Sequence, residues 1–216
     1  MAITTVAPTI TTNSSTQFKE ICSRYAEFAK RVHLDCADGT LSDAQLLLPS
    51  GLWWPKNWEA DIHLMTATPS LYVNDLIKLK PNLVILHAEA KEDLIPIFKQ
   101  LKDADIKVGI AIVKNVYPGS IKHIIKECDH ALIFSGNIGN YGGEADLLLT
   151  EKVALIRDIN SSIEVGWDGG VNLENAHIIT HAGVDVLNVG SALANSPNPA
   201  ETFAALNKAT ENEEAL

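Results

Sequence analysis

No run of about eighteen consecutive apolar residues, the least that crosses a bilayer as a helix, occurs anywhere in the 216 residues. The opening Met1-Ala2-Ile3-Thr4-Thr5-Val6 lacks the basic n-region and long apolar h-region of a signal peptide, so a soluble, cytoplasmic protein with no membrane partner is expected. Cysteine is scarce. Cys22, Cys36 and Cys128 are odd in number and far apart, which excludes a disulfide framework and a zinc knuckle and predicts reduced thiols. Clusters of basic residues are missing as well: with 17 Lys and Arg against 27 Asp and Glu, the formal net charge of -10 argues against nucleic acid as a partner. Small anions stay open, because backbone N–H groups hold phosphate without basic side chains.

What is present is a repeating grammar. Apolar strand-like runs at Thr4–Ile10, Val32–Cys36, Asp61–Met65, Leu83–His87, Lys107–Ile112, His130–Phe134, Ile163–Trp167 and Asp185–Val189 alternate with helical patterns. The first helix follows capping residues at Asn13 to Thr16 and carries Phe18, Ile21, Cys22, Tyr25 and Phe28 at helical spacing. Others are predicted near Pro69–Leu79, Glu92–Leu101, Ser120–Glu127, Leu147–Ile159, Leu173–His181 and Pro199–Lys208. Continuously apolar strands separated by helices are parallel strands buried on both faces. Eight such units predict an α/β protein with a (β/α)8 barrel, the TIM-barrel fold, as one domain over residues 1–209, followed by an acidic tail at 210–216. A doubly wound open sheet shares this grammar, but no G-x-G-x-x-G follows the first strand. The second connection, Leu41–Trp58, breaks the pattern. Its Trp53, Trp54 and Trp58 are expected to cover the lower flank of the barrel, with an aromatic subunit interface as the alternative.

The unusual polar residues fall at the carboxyl ends of these strands: Thr9, Asp35, His63, His87, Ser135, Asp168 and Ser191. In a barrel those ends converge on one mouth, where active sites of this fold are built. In Arg31-Val32-His33-Leu34-Asp35, the two-residue spacing puts an imidazole and a carboxylate on one face of a strand. Two histidines and two aspartates from different strands make a ligand set suited to zinc, manganese or ferrous iron. Glycine clusters follow the later strands: Gly139 to Gly143, Gly169-Gly170 and Gly190-Ser191. Loops after the last barrel strands commonly seat a phosphate, where glycine lets backbone N–H groups approach. A metal, two carboxylates and a phosphate anchor together suit proton removal beside a carbonyl.

These segments resemble the ribulose-phosphate 3-epimerase family. His33-Leu34-Asp35-Cys36-Ala37-Asp38-Gly39 is similar to the family's H-x-D-x-M-D-G, and Asp61-Ile62-His63-Leu64-Met65 to its D-x-H-L-M. Further matches are Ala7-Pro8-Thr9-Ile10, His87-Ala88-Glu89-Ala90, the loop Gly139 to Glu144, Asp168-Gly169-Gly170-Val171 and Gly190-Ser191-Ala192. The resemblance implies a barrel of the ribulose-phosphate-binding type that inverts carbon 3 of a ketopentose 5-phosphate, converting ribulose 5-phosphate to xylulose 5-phosphate. It implies one divalent ion, zinc foremost with manganese or iron as alternatives, at His33, Asp35, His63 and Asp168. Asp35 and Asp168 would be the catalytic acid and base, passing protons through an enediolate. Thr9, His63, Gly142, Gly143, Gly169, Gly170, Gly190 and Ser191 would contact substrate and phosphate. A homo-oligomer is also implied.

There are departures. Ala37 replaces a methionine, which predicts a wider wall beside the reacting carbons, and Ile138 with an inserted Asn140 changes the glycine loop. Epimerisation of another ketose phosphate such as a hexulose 6-phosphate is therefore the alternative substrate reading, and a catalytically silent sugar-phosphate binding barrel the alternative to an enzyme. A Schiff-base aldolase using Lys114 has no other support, and Asp35-Cys36-Ala37-Asp38 lacks the lysine and the spacing of the Asp-x-Lys-x-x-Asp motif found in related barrel decarboxylases and synthases.

Overall fold

The computed structural model describes residues 4–136, 138 and 143–211. Eight parallel strands close into a barrel in chain order: β1 Thr5–Ile10, β2 Arg31–Ala37, β3 Glu59–Met65, β4 Leu83–His87, β5 Lys107–Val113, β6 His130–Phe134, β7 Glu164–Asp168 and β8 Val186–Val189. Around it run helices α1 Ser15–Tyr25, α2 Val73–Leu79, α3 Leu94–Lys102, α4 Lys122–Ile125, α5 Glu151–Ile159, α6 Ala176–His181, α7 Ser191–Ala194 and α8 Pro199–Glu211. The barrel expected from the sequence is present, with each strand within two residues of its expected bounds at either end. Helix α7 was not anticipated, and α8 runs through Thr210 and Glu211 into the segment expected to be a tail. None of the helices among the described residues is long and apolar enough to cross a membrane.

Alternation along each strand sorts the side chains. Val32, Leu34 and Cys36 of β2, with Ile62 and Leu64 of β3 and Trp167 of β7, face outward and pack under the helices. Their neighbours in sequence face the barrel axis and form three layers. At the amino-terminal end, the Arg31 guanidinium donates to Asp61 at 2.6 Å and to both oxygens of Glu164 at 2.8 and 2.7 Å, and His130 Nδ1 lies 2.7 Å from Glu164. A separate apolar plug of Leu83, Ile85, Ala111 and Leu132 fills the middle. Above it stand the polar groups of the mouth. The plug keeps two charged assemblies in one barrel from competing for each other's partners.

Helix α1 begins where Ser14 accepts from the Gln17 amide, the capping residue falling within the expected Asn13 to Thr16. The second connection holds only a single 3-10 turn, Pro49–Gly51, where its counterparts carry helices. Its tryptophans cover the flank in place of a helix: Trp58 is buried, Trp54 packs against the core, and the exposed Trp53 meets the Phe18 ring edge-on at 5.9 Å. The three cysteines are free and buried, and burial raises all three thiols, Cys22 to about 12.

Candidate metal centre and sugar-phosphate cleft

The mouth is organised by β2. Its inward positions are Arg31, His33 and Asp35, so the period that sends Arg31 to the floor brings His33 and Asp35 into the cleft end. Register then sets Asp35 opposite His63 on β3, and Asp168 closes the group from β7. One ligand atom from each of His33, Asp35, His63 and Asp168 lies within 4.8 Å of all the others. His33 Nε2 is 3.3 Å from Asp35 Oδ1 and 3.5 Å from Asp168 Oδ2, while His63 Nδ1 is 3.1 and 3.8 Å from the same two oxygens.

The four nitrogen–oxygen distances, from 3.1 to 3.8 Å, bracket the spacing of ligands around a tetrahedral cation. Bonds of about 2.1 Å place neighbouring ligands about 3.4 Å apart. His33 makes the stronger case. It is wholly buried, and neither ring nitrogen has a partner in good hydrogen-bond geometry: Nε2 faces two carboxylates at 3.3 and 3.5 Å, an arrangement that a cation between them would satisfy. The electrostatics agree. Burial opposes charge on His33, but the proximity and charge of Asp168 and Asp35 outweigh it and push the imidazole up to about 10. Burial likewise resists charge on Asp35, and His33 and His63 nevertheless hold its carboxyl well below the usual carboxylate range. His63 is pushed the other way, by burial and by the neighbouring His87 and His33, against the pull of Asp35. The cluster draws positive charge to one point, as a buried divalent-metal site does.

Two supports were not read from the sequence. Thr11, in the loop after β1, donates its hydroxyl to Asp35 Oδ2 at 2.6 Å and fixes the carboxylate from the side away from the histidines. His63 Nε2 meets His87 Nε2 at 2.8 Å, and His87 Nδ1 lies 3.2 Å from Glu89 Oε2. A lone threonine in a loop carries no periodic signal. His87 and Glu89 carried one, as a strand-end histidine with a carboxylate two residues on. Asp38, the second aspartate of the motif, stands outside the cluster: its carboxylate accepts from Thr40, Thr66 and Tyr72 and ties the ends of β2 and β3 together.

Beside the cluster opens a cleft of about 530 Å³, counting the solvent space at its open side. Of the residues expected to touch substrate or phosphate, Thr9, Gly169, Gly170, Gly190 and Ser191 line it, with Asp35 and Asp168 at its base. His63 reaches the site through the cluster. Gly143 is exposed and not among the described lining, and Gly142, like Gly139, Asn140 and Tyr141, lies outside the described residues. The Gly169-Gly170 pair is required by space: both have positive φ, and a Cβ would stand 2.4 Å from the Gly136 nitrogen at the first and 2.1 Å from the Ala145 nitrogen at the second. Ala37 is buried and is not among the described lining, whereas Met65, its register partner on β3, lines the cleft. Ser135 accepts from the Asp146 amide and serves the loop. Lys114 is exposed, paired with Asp146 at 2.6 Å and absent from the described lining, which removes the aldolase geometry. Asn188, unnoticed within an apolar run, faces the cleft.

Comparison with known proteins places this arrangement. The ribulose-phosphate 3-epimerase of Helicobacter pylori is 31% identical over 141 residues, covering 63% of this chain and 64% of that enzyme, so the match spans just under two thirds of its length. The enzyme of Rhodobacter capsulatus is 27% identical over 194 residues, covering 87% of this chain and 85% of its own. Among solved structures, 3-hexulose-6-phosphate synthase superposes with a TM-score of 0.70 at 16% identity over 95% of this chain and 99% of its own. Orotidine 5'-phosphate decarboxylase from Pyrococcus horikoshii gives 0.64, also at 16%, over 96% and 97%. At those identities the structural likeness carries the barrel and nothing more. The model of the Ribulose-phosphate 3 epimerase family matches residues 5–194, the whole span from β1 through α7 that builds the barrel and its mouth, and the chain belongs to that family.

Proposed function

We propose that the protein is a metal-dependent epimerase that inverts carbon 3 of a ketopentose 5-phosphate, interconverting ribulose 5-phosphate and xylulose 5-phosphate. The observation that carries this reading is the pairing of Asp35 and Asp168 on different strands at the base of one cleft, sharing the same two histidines. Inversion needs two proton carriers. One carboxylate takes the proton from carbon 3, leaving an enediolate, and the other, as the acid, returns a proton to the opposite face. In one direction Asp35 takes the proton and Asp168 returns one. In the reverse direction the roles exchange.

A divalent ion held by His33, His63, Asp35 and Asp168, zinc foremost with manganese or iron as alternatives, would supply positive charge where the substrate oxygens become negative. The chain's own contribution is positioning. Thr11 holds Asp35, and His87 holds His63. Gly169, Gly170, Gly190 and Ser191 flank the phosphate end, where backbone without side chains permits close approach. Met65, Phe134 and Val171 provide the apolar walls that limit water at the reacting carbon.

Incubation of metal-loaded protein in deuterated water, with ribulose 5-phosphate and a hexulose 6-phosphate at equal concentration, tests the proposal. Deuterium entering carbon 3 of the pentulose, with xylulose 5-phosphate formed, is the expected result. Exchange only into the hexulose would move the substrate to six carbons. Binding of both without exchange would leave a silent sugar-phosphate barrel.

A further inference from the structure

The side chain of Asn188 is 2% exposed, and neither its carbonyl oxygen nor its amide nitrogen has a hydrogen-bond partner in the protein. A buried amide with both ends unmatched is costly, and such groups are found paired in nearly all folded proteins. The partner must come from the direction the side chain faces. Asn188 pairs in register with Asp168 on β7 and with Ala7 on β1, so it shares the inward face of the barrel with both. It lines the cleft, with the small Ala7 beside it on the same face. Thr9, one inward position above Ala7, also presents a buried hydroxyl with no partner to this cleft. No apolar ligand surface would satisfy either group.

Its place along the strand narrows what the amide meets. Asp168 lies beside it, and Gly190 and Ser191 follow two and three residues later on the same strand end. Asn188 therefore stands between the proton-handling carboxylate and the loop assigned to the phosphate. We propose that Asn188 is a specificity-determining residue that hydrogen-bonds the substrate hydroxyl on carbon 4, between the reacting carbon 3 and the phosphate-bearing carbon 5. A primary amide matches a hydroxyl in both roles, accepting its proton through Oδ1 or donating to its oxygen through Nδ2. Being neutral, it does so without adding charge beside Asp168. The inference rests on the ketopentose phosphate reading for its numbering of carbons. What it adds is that this chain reads substrate polarity from β8, apart from the metal ligands and the glycine loops.

The test compares metal-loaded wild type with Asn188→Leu, whose side chain is similar in volume and cannot hydrogen-bond. Binding of ribulose 5-phosphate and of its 4-deoxy and 1-deoxy analogues is measured by calorimetry, and deuterium exchange at carbon 3 is followed in parallel. Wild type should bind the 4-deoxy analogue about ten- to a hundredfold more weakly than ribulose 5-phosphate, the usual consequence of leaving a buried polar group unpaired. Asn188→Leu should lose affinity for ribulose 5-phosphate and the 1-deoxy analogue by that factor and leave the 4-deoxy analogue unchanged. Its Tm should be equal to that of wild type or higher, since an unmatched amide has been removed. Equal weakening of all three ligands, or of none, overturns the proposal, as does a lowered Tm with unchanged discrimination, which would mean that the amide serves the fold through water. Should the leucine variant not fold, Asn188→Ala carries the same comparison. Asn188-dependent binding without exchange would sink the epimerase reading and leave this inference standing; exchange without Asn188 dependence does the reverse; no binding of any of the sugars sinks both.

Discussion

His63 Nε2 lies 2.8 Å from His87 Nε2, and since two bare nitrogens repel, one of them must carry the proton. Glu89 decides which. Its carboxylate, 3.2 Å from His87 Nδ1, can only accept, so His87 carries its proton on Nδ1 and offers a bare Nε2. His63 then donates from Nε2 and keeps Nδ1, the nitrogen facing Asp35 and Asp168, free of a proton and available to a cation.

A pair of variants checks that relay. His87→Phe leaves His63 without an acceptor, and Glu89→Leu removes the group that sets the His87 tautomer. Each should weaken divalent-metal binding by about 10- to 100-fold, the usual effect of losing a ligand's supporting partner. Competition with a chromophoric chelator measures it. Unchanged affinity in both would mean that His63 is oriented by packing alone.

Asp35→Asn and Asp168→Asn should each abolish carbon-3 exchange and leave the circular dichroism spectrum unchanged. Metal content is measured with activity, because each change also removes a ligand charge from the cluster. Thr11→Val is the graded companion. It frees Asp35 Oδ2 from a 2.6 Å hydrogen bond without touching the cluster, and a fall in kcat of about tenfold with metal retained is expected of a misoriented base. Full activity in any of the three would show that the altered contact is dispensable.

Gly170→Ala probes the phosphate side. The residue has φ +72°, and the added Cβ would lie 2.1 Å from the Ala145 nitrogen and 2.4 Å from the Glu144 carbonyl carbon. Backbone conformation alone costs about 1–2 kcal/mol, and relief of the clash must push the loop after β6 away from the cleft. Affinity for inorganic phosphate and for ribulose 5-phosphate should fall together while the metal affinity is kept. A loss confined to Tm would place the glycine pair outside the anion seat.

How much of this was legible follows from which faces are buried. His33 and Asp35 share a face at period two, and a polar pair inside an apolar strand is visible without a structure. Asp168 and His63 were visible as strand-end polar groups. But both faces of every barrel strand are covered, so inward and outward apolar residues read alike, and the plug of Leu83, Ile85, Ala111 and Leu132 could not be separated from the outer core. Asn188 was lost inside Val186–Val189 for the same reason. Arg31 fell outside the expected second strand, which began at Val32, although its guanidinium joins β2 to β3 and β7. The second connection defeats helical periodicity because its tryptophans, not a helix, cover the flank.

That amino-terminal assembly gives the last prediction. Arg31, whose side chain is 12% exposed, is bound by Asp61 and Glu164, and removing it as Arg31→Met leaves two carboxylates without their cation. Breaking one side of the buried Arg31–Asp61 pair typically costs about 3–5 kcal/mol, while the more exposed Glu164 keeps His130 and adds little. As Asp35 does from the mouth, Glu164 should contribute to the acid limb of stability. Burial opposes its charge, but Arg31 and His130 dominate and hold the carboxyl well below the usual range. Because the folded value is the lower one, its contribution is complete above the ordinary glutamate value near 4.5 and is lost as pH falls below it towards the folded value. Urea unfolding of wild type and Glu164→Gln across pH 2 to 8 separates the two states. The glutamine variant should be the less stable at neutral pH, and the gap should close on acidification as wild type loses what the variant never had. Because the apolar plug stands between this layer and the mouth, carbon-3 exchange by the folded Glu164→Gln protein at neutral pH should match wild type. A gap that stayed constant with pH would mean that Glu164 stabilises by shape and hydrogen bonding, not by its charge.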